Sequence, residues 1–183
     1  MVKYCMERIS ILGCGGSGKS YVAKELGKIF DLPVIHFDRH TINFDGSSVE
    51  KDTFVKKIFS IKGDKWIMDG NHSRDDKLTQ YRFIESDLII FLDFTEQDCI
   101  DATKTRHGSI RKRQDIPDCL IENDESLSWL INHIQKWFTD KKPQLILSQA
   151  EKYDANQKLI VLKNRQQVDD FLASVKILLA TGF

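Results

Sequence analysis

One stretch decides the fold of this chain: Gly13-Cys14-Gly15-Gly16-Ser17-Gly18-Lys19-Ser20. It fits the pattern G-x-x-x-x-G-K-[ST] and lies between a short apolar run, residues 9–12, and a segment with helical periodicity. Glycines allow the backbone to curl so that successive N–H groups point at an anion, and the N-terminus of the following helix adds partial positive charge. The stretch therefore predicts a loop that binds nucleotide phosphates.

Two side chains of this phosphate loop, residues 13–20, have distinct expected roles. Lys19 is expected to reach the β- and γ-phosphates of a nucleoside triphosphate, and the Ser20 hydroxyl is expected to bind Mg²⁺. Cys14 is either a small filler side chain, which we favour, or a thiol whose pKa the helix N-terminus lowers. We assign nucleotide binding to nine consecutive residues: Gly13, Cys14, Gly15, Gly16, Ser17, Gly18, Lys19, Ser20 and Tyr21.

Length and composition limit the class of protein. The chain has 183 residues, which suits a single domain over residues 1–183. It carries 27 Lys plus Arg and 27 Asp plus Glu, so its formal net charge is zero, whereas proteins that bind a nucleic-acid duplex usually have a basic excess. No apolar run has the length of a signal-peptide core or a membrane span. We therefore expect a cytoplasmic protein whose main partner is neither nucleic acid nor a membrane.

Short apolar runs alternate with segments of helical periodicity along the chain. The runs cover residues 9–12, 33–37, 66–68, 88–92 and 159–162. This alternation predicts an α/β fold with a parallel sheet, in which the carboxyl ends of the strands share one edge and bind the ligand. Gly13, Asp38, Asp69 and Asp93 each fall at or just after a predicted strand end, so they predict a site at that edge.

A long helical pattern begins near residue 127. Trp129 and Trp137 lie within it and are both predicted to be core residues. Pro143 is expected to kink or divide the helix, because proline lacks a backbone N–H and clashes with the preceding turn.

The carboxylates at the strand ends suit magnesium chemistry. Phosphoryl transfer needs positioning and charge neutralisation more than covalent help from the protein. Mg²⁺ takes few protein ligands and keeps several waters, so we expect Ser20 to bind it directly. Asp93 and Asp38 are expected to hold metal-bound water. Asp93 also fits a helix cap, since Thr95 and Glu96 follow it.

The chemistry of the acceptor is open from the residues alone. If the acceptor is a hydroxyl group, Asp38 is the expected general base. If the acceptor is a phosphate, no base is needed, and Arg39, Arg74 and Arg82 are the basic residues available to hold it. The acceptor-binding region is predicted to span about residues 39–82.

Substrate contacts are assigned to seven residues: His36, Asp38, Arg39, Asp69, Gly70, Asn71 and Arg74. For the Asp-Gly-Asn run among them, ordinary turn chemistry is an equally good explanation.

A basic, irregular segment follows Arg106. We predict a lid over about residues 107–124 that closes over the nucleotide, excludes water and brings arginine forks to the transferring phosphate. A solvated basic loop is the alternative. Arg106 and Arg113 are the predicted catalytic arginines, beside Lys19 and Asp38. Residues 163–165, after the last predicted strand, are a further candidate contact for the base.

Five motifs together resemble those of the adenylate-kinase-like P-loop family labelled "DNA topology modulation protein". They are G-x-G-G-S-G-K-S at 13–20, L-P-V-I-H-F-D at 32–38, W-I-M-D-G-N at 66–71, I-I-F-L-D at 89–93 and a run at 113–119. The resemblance implies the fold of the nucleoside-monophosphate and shikimate kinases, with a five-stranded parallel sheet in the order 2-3-1-4-5. It also implies ATP and Mg²⁺ as ligands. Ala102 departs from the family pattern, since members tend to carry arginine there.

These observations favour an ATP-dependent phosphotransferase that acts on a small molecule, a nucleotide or nucleoside in particular. The alternative is a nucleotide-binding regulatory protein that acts on DNA or on a protein partner with little phosphotransfer.

Overall fold

The computed structural model describes residues 6–41, 48–71, 77–107 and 124–181. The strands are β1 (Arg8–Gly13), β2 (Val34–His36), β3 (Trp66–Asp69), β4 (Leu88–Leu92) and β5 (Leu159–Leu162). The helices are α1 (Lys19–Phe30), α2 (Lys51–Ile61), α3 (Lys77–Glu85), α4 (Glu96–Arg106), α5 (Asp124–Thr139), α6 (Lys142–Lys152) and α7 (Arg165–Ala180). A short 3-10 turn, Phe37–His40, follows β2 directly, and a second, Asn156–Lys158, precedes β5.

The five strands form one parallel sheet in the order β2-β3-β1-β4-β5. The predicted α/β fold and strand order are therefore confirmed. β1 lies at the centre, and its register pairs Ile11 with Asp69 of β3 and Gly13 with Leu92 of β4. This register brings the phosphate loop, Asp69 and the residue after β4 to the same edge of the sheet.

Burial explains why these segments form strands and helices. Every side chain of β4 is buried, as expected for a parallel strand covered on both faces. The smaller of two clusters of buried side chains lies against β2 and β3 and contains Ile35, Phe37, Phe54, Ile58, Trp66, Met68 and Leu78. This cluster packs α2 and α3 against β2 and β3. No helix in the described ranges has the length and apolar character needed to cross a bilayer.

Pro143 lies in the first turn of α6, so the predicted division of the long helix is confirmed. The prediction that Trp129 is a core residue is wrong. Trp137 is 7% exposed, whereas Trp129 is 63% exposed and stacks on His133 with ring centroids 5.3 Å apart. The reason is helical phase: Trp129 is five residues from the buried Ile134, which is about 140° around a helix of 3.6 residues per turn.

Candidate functional site

The phosphate loop connects β1 to α1 and depends on its glycines. Gly13, Gly16 and Gly18 have φ values of +149°, +80° and +92°, which side chains rarely tolerate. Space is also limiting at Gly16, because a Cβ there would collide with the carbonyl oxygen of Cys99 and lie 2.8 Å from Oγ1 of Thr103. Both of these residues belong to α4, so the loop is packed directly against that helix.

The carbonyl oxygen of Cys14 organises the inside of the loop. It accepts hydrogen bonds from the Ser17 hydroxyl (2.8 Å), the Ser17 backbone N–H (3.3 Å) and the Lys19 ammonium (2.8 Å). The ammonium group of Lys19 is thus held at the loop, where a bound phosphate would compete for it.

Cys14 itself is a buried thiol beside the buried thiol of Cys99. A hydrogen bond with Cys99 and burial raise the pKa of Cys14, while the hydrogen bond lowers the pKa of Cys99. The raised pKa of Cys14 agrees with the interpretation of its side chain as a small, neutral filler. The backbone carbonyl of Cys14, and not its thiol, makes the hydrogen bonds to Ser17 and Lys19.

Asp69 is a carboxylate that interacts with two side chains of the phosphate loop, Lys19 and Ser20. It ends β3, is 4% exposed, and its Oδ2 lies 2.6 Å from Nδ1 of His36. Burial would raise its pKa, but the hydrogen bond from His36, the charge of Lys19 and the nearby Ser20 hydroxyl together lower it. Asp69 is therefore an ionised carboxylate facing the two functional side chains of the loop, and its Oδ1 has no hydrogen-bond partner among the described residues.

These residues fit a magnesium nucleotide. Ser20 is exposed in the first turn of α1, and the unsatisfied Oδ1 of Asp69 is an acceptor for a metal-bound water. No group of three or more His, Cys, Asp or Glu side chains that could hold a metal occurs in the described ranges. Mg²⁺ commonly takes most of its ligands from phosphates and water, and needs few from the protein.

Asp38 lies on the neighbouring strand end. His36 of β2 pairs in register with Asp69, and Asp38 follows two residues later in the 3-10 turn, where its side chain is exposed. Gly70 has φ +138°, and a Cβ there would lie 2.6 Å from Cβ of Phe37. Gly70 thus allows the ends of β2 and β3 to approach each other, and its contact with substrate stays a prediction.

Asn71 is predicted to contact substrate, but its side-chain amide forms hydrogen bonds with the phosphate loop. Its Oδ1 accepts a hydrogen bond from the Gly13 backbone N–H (3.0 Å), and its Nδ2 donates to the Gly13 carbonyl oxygen. The side chain therefore joins the residue after β3 to the start of the loop.

Arg82 cannot hold an acceptor phosphate, and that prediction is wrong. Its side chain is 2% exposed and donates to backbone carbonyl groups within the sheet.

Asp93 lies on the other side of β1 from Asp69. Its backbone N–H donates to the carbonyl oxygen of Leu162 (2.9 Å), burial raises its pKa, and Lys163 opposes that rise. No contact between Asp93 and Ser20 is among those described, so its role beside the metal stays a prediction, and the contacts favour Asp69.

The remaining predicted residues divide by location. Arg39 is exposed in the 3-10 turn, and Tyr21 is exposed in α1. Arg106 is the last residue of α4 and is half-buried. Arg74, Arg113 and residues 108–123 of the predicted lid lie outside the described residues.

Arg165 contributes to the loop from the far end of the chain. Its Nη2 donates to the carbonyl oxygen of Gly16 (3.0 Å), and its guanidinium lies over the ring of Phe94, 5.0 Å from the centroid. From the sequence, the position of Arg165 just after the last predicted strand indicates a contact with the nucleotide base. It does not indicate this contact with the phosphate loop.

No protein-family model matches the chain, and no curated protein matches it by sequence. Solved structures do match. A gluconokinase from Sinorhizobium meliloti 1021 has a TM-score of 0.54 at 14% identity, over 97% of this chain and 93% of that one. A shikimate kinase from Bacteroides thetaiotaomicron has a TM-score of 0.51 at 16% identity, over 95% and 98%. A shikimate kinase from Acinetobacter baumannii, solved in complex with shikimate, has a TM-score of 0.54 at 12% identity, over 97% and 96%.

Each match covers nearly the whole of both chains. Because the sequence identities are low, the matches show similarity of fold alone. They give no support to the topology-modulation label. The chain has the P-loop kinase fold.

Proposed function

We propose that this chain is a small-molecule kinase that transfers the γ-phosphoryl group of ATP to a hydroxyl group. The observation that carries the proposal is the ionised, buried Asp69 beside Lys19 and Ser20, with Asp38 exposed on the adjacent strand end. Two neighbouring strand ends thus carry carboxylates, one suited to hold metal-bound water and the other to take the proton of a hydroxyl acceptor. The structural neighbours named as gluconokinase and shikimate kinase are also kinases of small molecules.

The loop and the first turn of α1 would bind the donor. Backbone N–H groups of the loop and the ammonium of Lys19 would hold the phosphates, with Lys19 exchanging the Cys14 carbonyl for a phosphate oxygen. Ser20 would bind Mg²⁺, and Asp69 would accept a hydrogen bond from metal-bound water. Bound Mg²⁺ supplies neutralisation of the charge that develops on the phosphates.

The acceptor oxygen would attack the γ-phosphorus while the bond from that phosphorus to the bridging oxygen breaks, and ADP leaves. The hydroxyl proton would pass to the carboxylate of Asp38. Arg106 and Arg113 would stabilise the transferring group, and residues 107–124 would close over it as a lid. Within a single domain, the acceptor would bind in the region of about residues 39–82.

The hydroxyl acceptor includes nucleosides and other polyols. The burial of Arg82 removes one of the three cations that a phosphate acceptor would have used, which supports a hydroxyl compound over a nucleotide. His36, Arg39, Asp69 and Arg74 remain proposed contacts for this acceptor.

The test is turnover of ATP and Mg²⁺ with a panel of nucleosides, sugar acids, cyclic polyols and nucleoside monophosphates, measuring ADP and phosphorylated product. Lys19→Met should lower kcat/KM for ATP by about 100-fold or more, because one charged donor to the transferring phosphate is lost. Asp38→Asn should lower kcat by about 100-fold or more while ATP affinity is kept.

Asp64→Asn is the matched control, since Asp64 is an exposed carboxylate at the opposite edge of the sheet. It should leave turnover unchanged. Unaltered turnover in Lys19→Met would exclude the loop as the donor site. Product formed only from nucleoside monophosphates, with little loss in Asp38→Asn, would show a phosphate acceptor instead.

A further inference from the structure

A single buried arginine ties together the strand ends that carry the candidate site. Nη1 of Arg82 donates to the Gly70 carbonyl oxygen (2.8 Å), and Nη2 donates to the carbonyl oxygens of Met68 (3.0 Å) and Ile11 (3.3 Å). Nε donates to the hydroxyl of Ser10 at 3.2 Å. One guanidinium therefore bridges β1 and β3 through three carbonyl groups and a hydroxyl.

The same guanidinium also contacts the 3-10 turn that follows β2. Its central carbon lies 4.8 Å from the centroid of the Phe37 ring, and Phe37 is the residue that packs against Gly70. The residue after Phe37 is Asp38. Arg82 thus contacts β1, β3 and the turn after β2, which are the segments next to the loop, Asp69 and Asp38.

The two carbonyl groups on either side of Asp69 both belong to this arrangement. Met68 precedes Asp69 and Gly70 follows it, and each accepts a hydrogen bond from Arg82. The backbone is therefore held by a fork with rigid geometry at the residue before Asp69 and at the residue after it. Lysine, a point charge on a flexible stem, cannot reproduce that fork.

Burying the charged guanidinium of Arg82 costs free energy of desolvation. Burial lowers the pKa of Arg82 to about 9, an effect that the negative charge of Asp69 partly opposes, so the side chain is still charged at neutral pH. Apolar residues of similar volume often give equal or greater stability than a buried charge. A buried cation at this position is therefore better explained by the placement it enforces than by stability.

We propose that Arg82 is a positioning residue that holds Asp69 at the distance from the loop that phosphoryl transfer requires. The inference rests on the proposed kinase function. The loop keeps its own shape through the Cys14 carbonyl and its packing on α4, neither of which involves Arg82. Loss of the fork therefore displaces Asp69 while these contacts inside the loop are kept.

The test compares Arg82→Lys and Arg82→Met with Arg8→Lys. Arg8 is a matched control because it also joins β1 to α3, through Glu85 (2.7 Å), and bonds to the Asp64 carbonyl (2.9 Å), but at the opposite edge of the sheet. Each variant is assayed well below its unfolding midpoint, with kcat, the Kd for Mg-ATP and the folded fraction measured together.

Arg82→Lys should lower kcat by about 10- to 100-fold, as expected for a small misplacement of a positioned group, with the Kd for Mg-ATP within about 3-fold of the parent. Arg8→Lys should lower the unfolding midpoint without changing kcat. A kcat within about 3-fold of the parent in folded Arg82→Lys would overturn the proposal. So would a loss of kcat that merely follows the unfolded fraction.

A spectroscopic readout keeps the inference separate from the proposed activity. The proton on Nδ1 of His36, in its 2.6 Å hydrogen bond with ionised Asp69, should give a downfield NMR signal. This signal should move or disappear in Arg82→Lys and in Arg82→Met, and should stay unchanged in Arg8→Lys. An inactive parent protein with this pattern intact would refute the kinase function alone, whereas an unmoved signal in folded Arg82→Lys would refute the placement of Asp69 by Arg82.

Discussion

At the scale of single residues, the side chain of Asn71 makes hydrogen bonds that the backbone of a neighbouring strand would otherwise make. The amide of Asn71 pairs with both the N–H and the carbonyl group of Gly13, as a neighbouring strand would. It continues the β3–β1 pairing beyond the last paired residues, Ile11 and Asp69. The entry to the phosphate loop is therefore held by an amide that must supply both a donor and an acceptor.

Asn71→Asp should test this dual requirement. The variant keeps an acceptor for the Gly13 N–H but places a second oxygen against the Gly13 carbonyl group. We expect a loss of about 1–3 kcal/mol in the free energy of unfolding, measured by urea denaturation. Asn164→Asp is the control, because Asn164 caps α7 through its oxygen alone, accepting from the Gln167 N–H at 2.9 Å. That change should stay within about 0.5 kcal/mol, and an equally small effect at Asn71 would contradict the paired geometry.

The same scale explains which residues sequence reasoning could not place. The backbone partners of Arg82 and Asn71 lie between 12 and 71 positions away in the chain, and a contact with a distant backbone group leaves no pattern in a sequence. The charge of Arg82, which the sequence shows, predicts a contact with an acceptor phosphate, whereas its burial cannot be read from the sequence. Lys19 and Ser20 were recognisable because their chemistry follows from a local pattern.

At the scale of elements, the phosphate loop is shaped by the helix packed on it as much as by its own glycines. Gly16 combines a positive φ with a collision partner in α4, whereas Gly63 has φ +59° and no atom within 4 Å of an added Cβ. A substitution at Gly63 therefore tests backbone strain alone, whereas a substitution at Gly16 tests strain together with steric crowding by α4.

Gly63→Ala should cost about 1–2 kcal/mol in unfolding free energy, which is the strain of a left-handed alanine. Gly16→Ala should cost about 1–3 kcal/mol more, because the methyl group overpacks the contact with α4. Urea unfolding measures both, and equal losses at the two sites would show that α4 does not restrict the loop. Mg-ATP affinity should fall in Gly16→Ala alone, since only that position shapes the anion site.

At the scale of the whole molecule, the alternation of apolar runs and helical segments predicts the parallel α/β sheet, whereas its strand order is implied by the resemblance in motifs alone. What local patterns could not supply is the phase of each element, and Trp129 is the example. Its periodicity was helical, but the side of α5 that faces the core depends on neighbours distant in the sequence. The sheet edge was predictable because parallel connections put all strand carboxyl ends together.

Mg-ATP should stabilise the whole domain by mass action. At a free concentration of about 100 times Kd the stabilisation is about 2.7 kcal/mol, which corresponds to a rise of about 5–10 °C in the unfolding midpoint for a domain of this size. Differential scanning fluorimetry measures the shift. Lys19→Met should retain less than about a third of it, and an equal shift in that variant would mean that the nucleotide binds elsewhere.

The contact between Arg165 and the Gly16 carbonyl joins residues 149 positions apart. Ribosomes deliver the chain from its N-terminus, so the glycine loop leaves the exit tunnel long before its arginine does. β5, which completes the sheet beside β4, arrives in the same late segment. Domains fold as units when their last necessary segment is available. In a cell, the loop is therefore completed only after β5 and Arg165 have left the ribosome, and not when the loop itself is synthesised.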